Sequence, residues 1–119
     1  MTEDPAKIYK ALSDVNRLRI LKMLRIKPLC VCEITDTLQL AISTVSKHLS
    51  ILKESGFIIE EKDGKWVNYK HHPQPPDHRI ATVLGDLDSW IVDDAVFRDD
   101  ENKVRVVDRH QVCNKKYLV

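Results

Sequence analysis

Apolar residues recur at helical spacing through the first half of the chain and at strand spacing just beyond it. Pro5, followed by Ile8, Tyr9 and Leu12, predicts a short first helix over about residues 5–13. Asp14 is placed to cap a second helix over 15–26, whose broad apolar face holds Leu18, Ile20, Leu21, Met23 and Leu24. Pro28 interrupts the pattern. A third helix follows from about Cys30 to Leu38, then a turn at Leu40-Ala41. A fourth helix covers about 42–54 and is stopped by Ser55-Gly56. Phe57-Ile58-Ile59 and Lys65-Trp66-Val67-Asn68-Tyr69 flank Asp63-Gly64, which predicts a β-hairpin with a type I′ turn. Three prolines (Pro73, Pro75 and Pro76) end the second strand. Ile80, Val83, Leu84, Leu87, Ile91 and Ala95 then share one stripe of a long helix over about 77–98, and its other faces carry Asp77, Asp86, Asp88, Asp93 and Asp94. Residues 100–119 are charged and weakly patterned, so irregular structure is expected there.

Helix–helix–helix–helix–hairpin–helix is the order of a winged helix-turn-helix: mainly α, with a small hairpin as the wing. At 119 residues the chain is small enough that a dimer interface would add useful core. Two segments are expected, a DNA-binding and dimerisation domain over 1–99 and a C-terminal tail over 100–119. No apolar run is long enough to span a membrane, and the acidic Met1-Thr2-Glu3-Asp4 start does not lead into an apolar secretory segment.

Net charge is +1 and selects no partner, but its distribution does. Residues 1–71 carry 12 Lys+Arg against 9 Asp+Glu, whereas 72–119 carry 7 against 9, so the front half is the candidate nucleic-acid half. At about 100° per residue, Ile42, Val45, Leu49 and Leu52 fall within roughly 80° of the fourth helix and mark its buried side. Lys47 then faces outward between Ser43 and Thr44, with Ser46 and His48 on the flanks. Hydroxyls can bond base edges or phosphates, and a lysine neutralises phosphate, so this face suits a major groove of double-stranded DNA. Lys62 and Lys65 near the hairpin turn suit the adjacent backbone. A polar outer face alone is what any surface helix has; the turn before it and the wing after it favour DNA. His48 by itself reads better as a hydrogen-bonded boundary residue than as a ligand.

Leu29-Cys30-Val31-Cys32-Glu33-Ile34 adds chemistry. Three cysteines, two of them one residue apart, fit free thiols in a reducing cytosol. Thiolates prefer thiophilic ions, and a helix N-terminus lowers the thiol pKa. Residues i and i+2 of a regular helix point about 200° apart. The pair therefore chelates one ion only if it precedes the first regular turn or if binding distorts that turn. Small buried hydrophobes are the plain alternative for Cys30 and Cys32; their position just ahead of a DNA-reading unit favours the ligand role.

Lys10-Ala11-Leu12-Ser13-Asp14 with Asn16 to Leu21, the Cys30-Val31-Cys32 segment, Val45-Ser46-Lys47-His48-Leu49, Ser55-Gly56-Phe57 and Gly64 to Tyr69 together resemble the ArsR/SmtB family of metal-responsive repressors, in its arsenic-sensing branch. The resemblance covers about residues 5–71. It implies a cytoplasmic homodimer, not an enzyme, that sits on operator DNA and leaves when As(III) or Sb(III) binds as inducer, with no constitutive cofactor. Such relatives often carry a third cysteine three residues after the second, where this chain has Thr35. Trivalent arsenic favours three sulfurs, so the third comes from Cys113 or from a cellular thiol such as glutathione. Ala41-Ile42 stands where relatives commonly have polar residues, so no operator sequence carries over. The family's zinc site on the last long helix finds Asp77 and His78 here but no second histidine before His110, and is read as absent. Alternatives are a repressor sensing cadmium, lead or oxidants through the same thiols, a thiol-redox protein, or a structural zinc module using His71 and His72. The redox protein lacks Cys-x-x-Cys spacing and a βαβ pattern.

Overall fold

The computed structural model describes residues 4–90 and 95–113. In chain order these form α1 (Pro5–Leu12), α2 (Val15–Ile26), β1 (Leu29–Cys30), α3 (Val31–Leu38), α4 (Ile42–Glu54), β2 (Ile58–Asp63), β3 (Trp66–His71), α5 (His78–Trp90), α6 (Ala95–Val106) and α7 (Arg109–Val112).

Local chemistry sets most of the boundaries. The Asp14 carboxylate accepts from the Asn16 and Arg17 N–H groups at 2.8 and 3.3 Å, satisfying two orphan donors at the start of α2. At the far end of α4 the Phe57 N–H donates to Leu52 O (3.0 Å) and the Gly56 N–H to Lys53 O (3.1 Å), a Schellman closure. Gly56 has φ 93°, and a Cβ there would stand 2.8 Å from Pro76 Cγ, so both the backbone and the space require glycine.

The hairpin pairs Ile58 with His71 through to Asp63 with Trp66, which makes Gly64 and Lys65 the central turn residues. This corrects the expected type I′ turn. Gly64 has φ 62° and, among the described residues, Gln39 is the one non-glycine with positive φ. A single positive φ at the first central position is the type II′ pattern. A short third strand escaped the sequence reading: β1 pairs with β3 (Leu29 with Tyr69, Cys30 with Asn68), giving the sheet order β1-β3-β2.

The second half differs more. Of the expected helix over 77–98, the described residues give α5, ending at Trp90, and α6, beginning at Ala95; the stretch between them, with Ile91, Asp93 and Asp94, lies outside the described residues. The irregular tail expected from residue 100 is corrected as well, because α6 continues to Val106 and α7 follows. Phe97, Asp100 and Val104 form one buried stripe of α6, packed against α2 and α3. The core is built around Ile20, Leu21 and Met23 of α2, Ile34 of α3, Val45, Leu49 and Leu52 of α4, and Phe57. No helix among the described residues is long and apolar enough to cross a membrane.

Candidate functional site

Helix α4 follows α3 after a short turn whose hinge is Gln39, in the left-handed conformation (φ 57°). Val45, Leu49 and Leu52 face the core, while Ser43, Thr44, Ser46 and Lys47 are exposed on the opposite side. Two positions depart from the wheel. Ile42, assigned to the buried side, is 39% exposed at the first position of α4. His48, assigned to the DNA-facing flank, is only 9% exposed. Its Nδ1 lies 3.1 Å from Arg17 Nη1, and Arg17 also donates to the carbonyls of Ala11 (2.8 Å) and Lys10 (3.0 Å). His48 thus fixes α4 to the α1–α2 corner, and burial lowers its pKa below the ordinary histidine value. Lys62 and Lys65 are both exposed near the tip of the wing.

The cysteines come together from opposite ends of the chain. Cys30 is the N-cap of α3, in extended backbone (φ −84°, ψ 167°), and Cys32 lies inside the first turn. The pair therefore straddles the helix start, and the 200° divergence of an intact turn does not apply. Glu33 makes the reciprocal contacts of a capping box: its carboxylate accepts from the Cys30 N–H at 3.0 Å, while its own N–H faces the Cys30 sulfur in place of the usual hydroxyl. Cys113, just past α7, stands beside both. It is in disulfide contact with Cys32, with Cα atoms 5.3 Å apart, and its Sγ lies 3.8 Å from that of Cys30. All three sulfurs lie within 4.8 Å of one another. Bonds of ~2.3 Å and tetrahedral angles put two thiolates on a shared ion about 3.8 Å apart, so little movement separates this trio from a ligating one.

Cys30 is 2% exposed and Cys113 is fully buried. Burial pushes the Cys30 thiol up, the nearby Glu33 carboxylate adds to that, and the α3 backbone N–H groups only partly oppose it. The lowered pKa expected from the helix N-terminus is corrected accordingly. Thr35, three residues after Cys32, is fully buried and its hydroxyl has no hydrogen-bond partner.

The histidines considered for zinc are turned elsewhere: His71 Nε2 donates to Leu21 O at 2.8 Å, and His72 Nδ1 accepts from the Gln74 N–H at 3.1 Å. Asp77 accepts from the Arg79 side chain at 2.6 Å. The sequence reading missed the residues that join the cysteines to the wing, Trp66, Arg109 and His110. Trp66 lies more than 40 positions before the other two, and no local pattern links them.

A winged helix-turn-helix with an exposed reading helix, flanked by a buried thiol trio, defines a DNA-binding regulator with a candidate thiophilic site. Residues 14–60 match the family described as bacterial regulatory protein, arsR family. The arsenic resistance transcriptional regulator ArsR1 of Pseudomonas putida is 36% identical over 96 residues, covering 77% of this chain and 75% of the relative. The arsenical resistance operon repressor of Escherichia coli is 33% identical over 110 residues, covering 89% and 83%. A homodimeric winged helix-turn-helix DNA-binding domain from Mycobacterium bovis, described as a possible ArsR-family regulator, superposes with a TM-score of 0.58 at 25% identity, covering 67% of this chain and 70% of that one. The chain belongs to the ArsR family of transcriptional repressors; it is a DNA-binding regulator, not an enzyme.

Proposed function

We propose that this repressor is a cytoplasmic homodimer that leaves its double-stranded operator when As(III) or Sb(III) is bound by Cys30, Cys32 and Cys113. The observation that carries the reading is the convergence of three largely buried sulfurs from two distant segments. Charge balance favours a trivalent inducer over cadmium or lead. Three thiolates neutralise a trivalent centre, whereas on a divalent ion they leave one net negative charge. That charge would be buried beside the Glu33 carboxylate, at considerable cost. Once the Cys32–Cys113 pair is reduced by a cellular thiol, arsenous acid reacts without further redox chemistry: three S–As bonds form, three As–OH bonds break, and each thiol proton leaves with a hydroxide as water. A thiol held protonated by burial is a suitable reactant. On DNA, Ser43, Thr44 and Ser46 are the candidate base or phosphate partners, and Lys47, Lys62 and Lys65 neutralise phosphates.

Dimerisation is supported by the homodimeric relative and by a groove of about 360 Å³ between α1 and α5. The surface available there differs from the stripe read in the sequence. Ile8 and Leu87 are spent on the chain's own core, while Tyr9 is 67% exposed and Val83 and Leu84 are half-buried. A single-chain mass by light scattering at micromolar concentration would rule the dimer out. Two-fold symmetry calls for an imperfect palindrome as operator.

The disulfide contact between Cys32 and Cys113 supports a second reading, in which peroxide oxidises that pair and is reduced to water. Gel shifts on the chain's own promoter separate the two. Under the metalloid reading, Cys30→Ser and Cys32→Ser retain operator binding and lose release by arsenite, because a serine hydroxyl is neither soft nor ionised near neutral pH. Under the oxidation reading, Cys30→Ser still releases DNA with peroxide. A Cys30→Ser, Cys32→Ser double variant that leaves DNA with arsenite refutes the metalloid site.

A further inference from the structure

The segment carrying Cys113 is also bound to the wing. Asp108 caps α7 by accepting from the His110 N–H at 2.9 Å, and this single turn presents two side chains to the hairpin. The Arg109 guanidinium donates to Asp63 Oδ2 at 2.9 Å and to Asn68 Oδ1 at 3.3 Å, and it lies 4.8 Å from the centre of the Trp66 ring. His110 meets the same indole edge-on at 5.7 Å. Trp66 and Asp63 are the paired residues that flank the wing turn, and the Trp66 ring also carries the Lys65 ammonium at 5.1 Å. Asn68 is in turn the ladder partner of Cys30.

We infer that α7 is the coupling element of the repressor: an ion held by Cys30, Cys32 and Cys113 fixes α7, and Arg109 and His110 then clamp the wing through Asp63 and Trp66. The inference rests on the proposed thiol site. Four residues separate Arg109 from Cys113, about one helical turn, so tethering one end of α7 fixes the other within a few ångströms. Without the ion, a reduced chain holds Cys113 to α3 only by packing and the 3.8 Å sulfur contact with Cys30, and a four-residue helix has little stability of its own. The clasp itself is weak. Its ion pair is partly exposed, with the Asp63 side chain 58% open, and cation–π contacts at such sites contribute modestly. Weakness at rest suits a switch, because occupancy of the thiols then decides whether the clasp forms. Closing it places a second cation on the indole that already holds Lys65 and anchors the turn bearing that lysine, so the wing's phosphate-facing charge depends on the thiol site.

Release also needs the clamped wing to fit the operator less well than the free one. A hundredfold loss of operator affinity corresponds to about 2.7 kcal/mol of differential binding. That is within reach of a rearranged wing, whereas the N-cap position of Cys30 lets the ion bind without distorting α3.

Trp66 is its own reporter. The chain has two tryptophans, Trp66 and Trp90, so a Trp90→Phe background isolates it. In that reduced protein, arsenite is expected to change Trp66 emission in step with the near-ultraviolet thiolate–arsenic absorption, saturating at one equivalent per chain. Adding Arg109→Ala should leave the absorption and its midpoint within about threefold. It should remove most of the emission change and cut arsenite-driven loss of operator affinity from about a hundredfold to below tenfold. Arg109→Lys keeps the charge and should recover part of both. Full emission change and full release in Arg109→Ala overturn the coupling role, as does thiolate–arsenic absorption without any change at Trp66. No absorption in the starting protein would instead defeat the thiol-site reading itself, and the coupling with it.

Discussion

Thr35 shows how far a single side chain can be read in each direction. The family resemblance implies that a cysteine often stands there, and its replacement by threonine pointed to Cys113 or a cellular thiol as the third sulfur. Here the threonine is fully buried with an unpaired hydroxyl, a burden of about 1–3 kcal/mol that a thiol would lighten. Cys32 and Thr35 are three apart on α3 and share a face. In a Cys113→Ser background, Thr35→Cys is therefore expected to restore the thiolate–arsenic absorption that Cys113→Ser weakens. Release from the operator should remain impaired, because the ion no longer reaches α7. An absorption titration beside a gel shift checks both halves, and full recovery of release would place the coupling within α3. Cys30 and Cys32 were legible because two thiols one residue apart are a local signal. The inward turn of His48 was not, since its partner Arg17 lies 31 positions away on another helix.

At the scale of elements, what the sequence revealed and what it hid divide by the range of the forces involved. The bounds of α2 and α4 follow from neighbours in the chain: the Asp14 carboxylate at one start, and Gly56 with its obligatory positive φ at one end. The wing likewise announces itself through Asp63-Gly64, although Gly64 rather than Asp63 opens the turn. Helix α6 had no such marker. Its inward stripe includes Asp100, which any hydrophobic pattern scores as solvent-facing, and the fully buried carboxylate is held by a two-pronged Arg19 contact at 2.7 and 2.9 Å from α2. The pairing lifts the Arg19 pKa, chiefly through the hydrogen bonds to Asp100. Nothing near residue 100 reports a partner 81 positions earlier. Strand β1 was hidden for a related reason, as two residues make no periodicity and are defined only by the ladder with Tyr69 and Asn68.

At the scale of the whole molecule, these long-range pairs also revise the charge picture. The basic excess of the front half, read as a nucleic-acid signal, is partly spent on the acidic second half, where Arg19 meets Asp100 and Arg25 meets Glu101 at 2.6 Å. Lys47 of α4 and Lys62 and Lys65 of the wing remain exposed for the proposed DNA surface. The ion site proposed between α3 and α7 and the surface proposed for DNA then belong to one folded unit, and thermodynamics makes their influence mutual. If arsenite on both subunits of the proposed dimer lowers operator affinity by some factor, saturating operator must lower the combined affinity for the two arsenites by the same factor, with no dependence on the route between them. Titrating the reduced dimer with arsenite, followed by thiolate–arsenic absorption, should give a midpoint that rises in the presence of excess operator duplex. The rise should be about the square root of the loss of DNA affinity in gel shifts at the same salt, because two sites share the coupling, and a scrambled duplex should produce much less. Salt must be held fixed, because the phosphate contacts proposed for Lys47, Lys62 and Lys65 would make every DNA affinity here ionic-strength dependent. Should operator leave the arsenite midpoint unmoved while arsenite still clears the DNA, release would not be linked to this thiol site, and Cys30, Cys32 and Cys113 would lose their role as the switch.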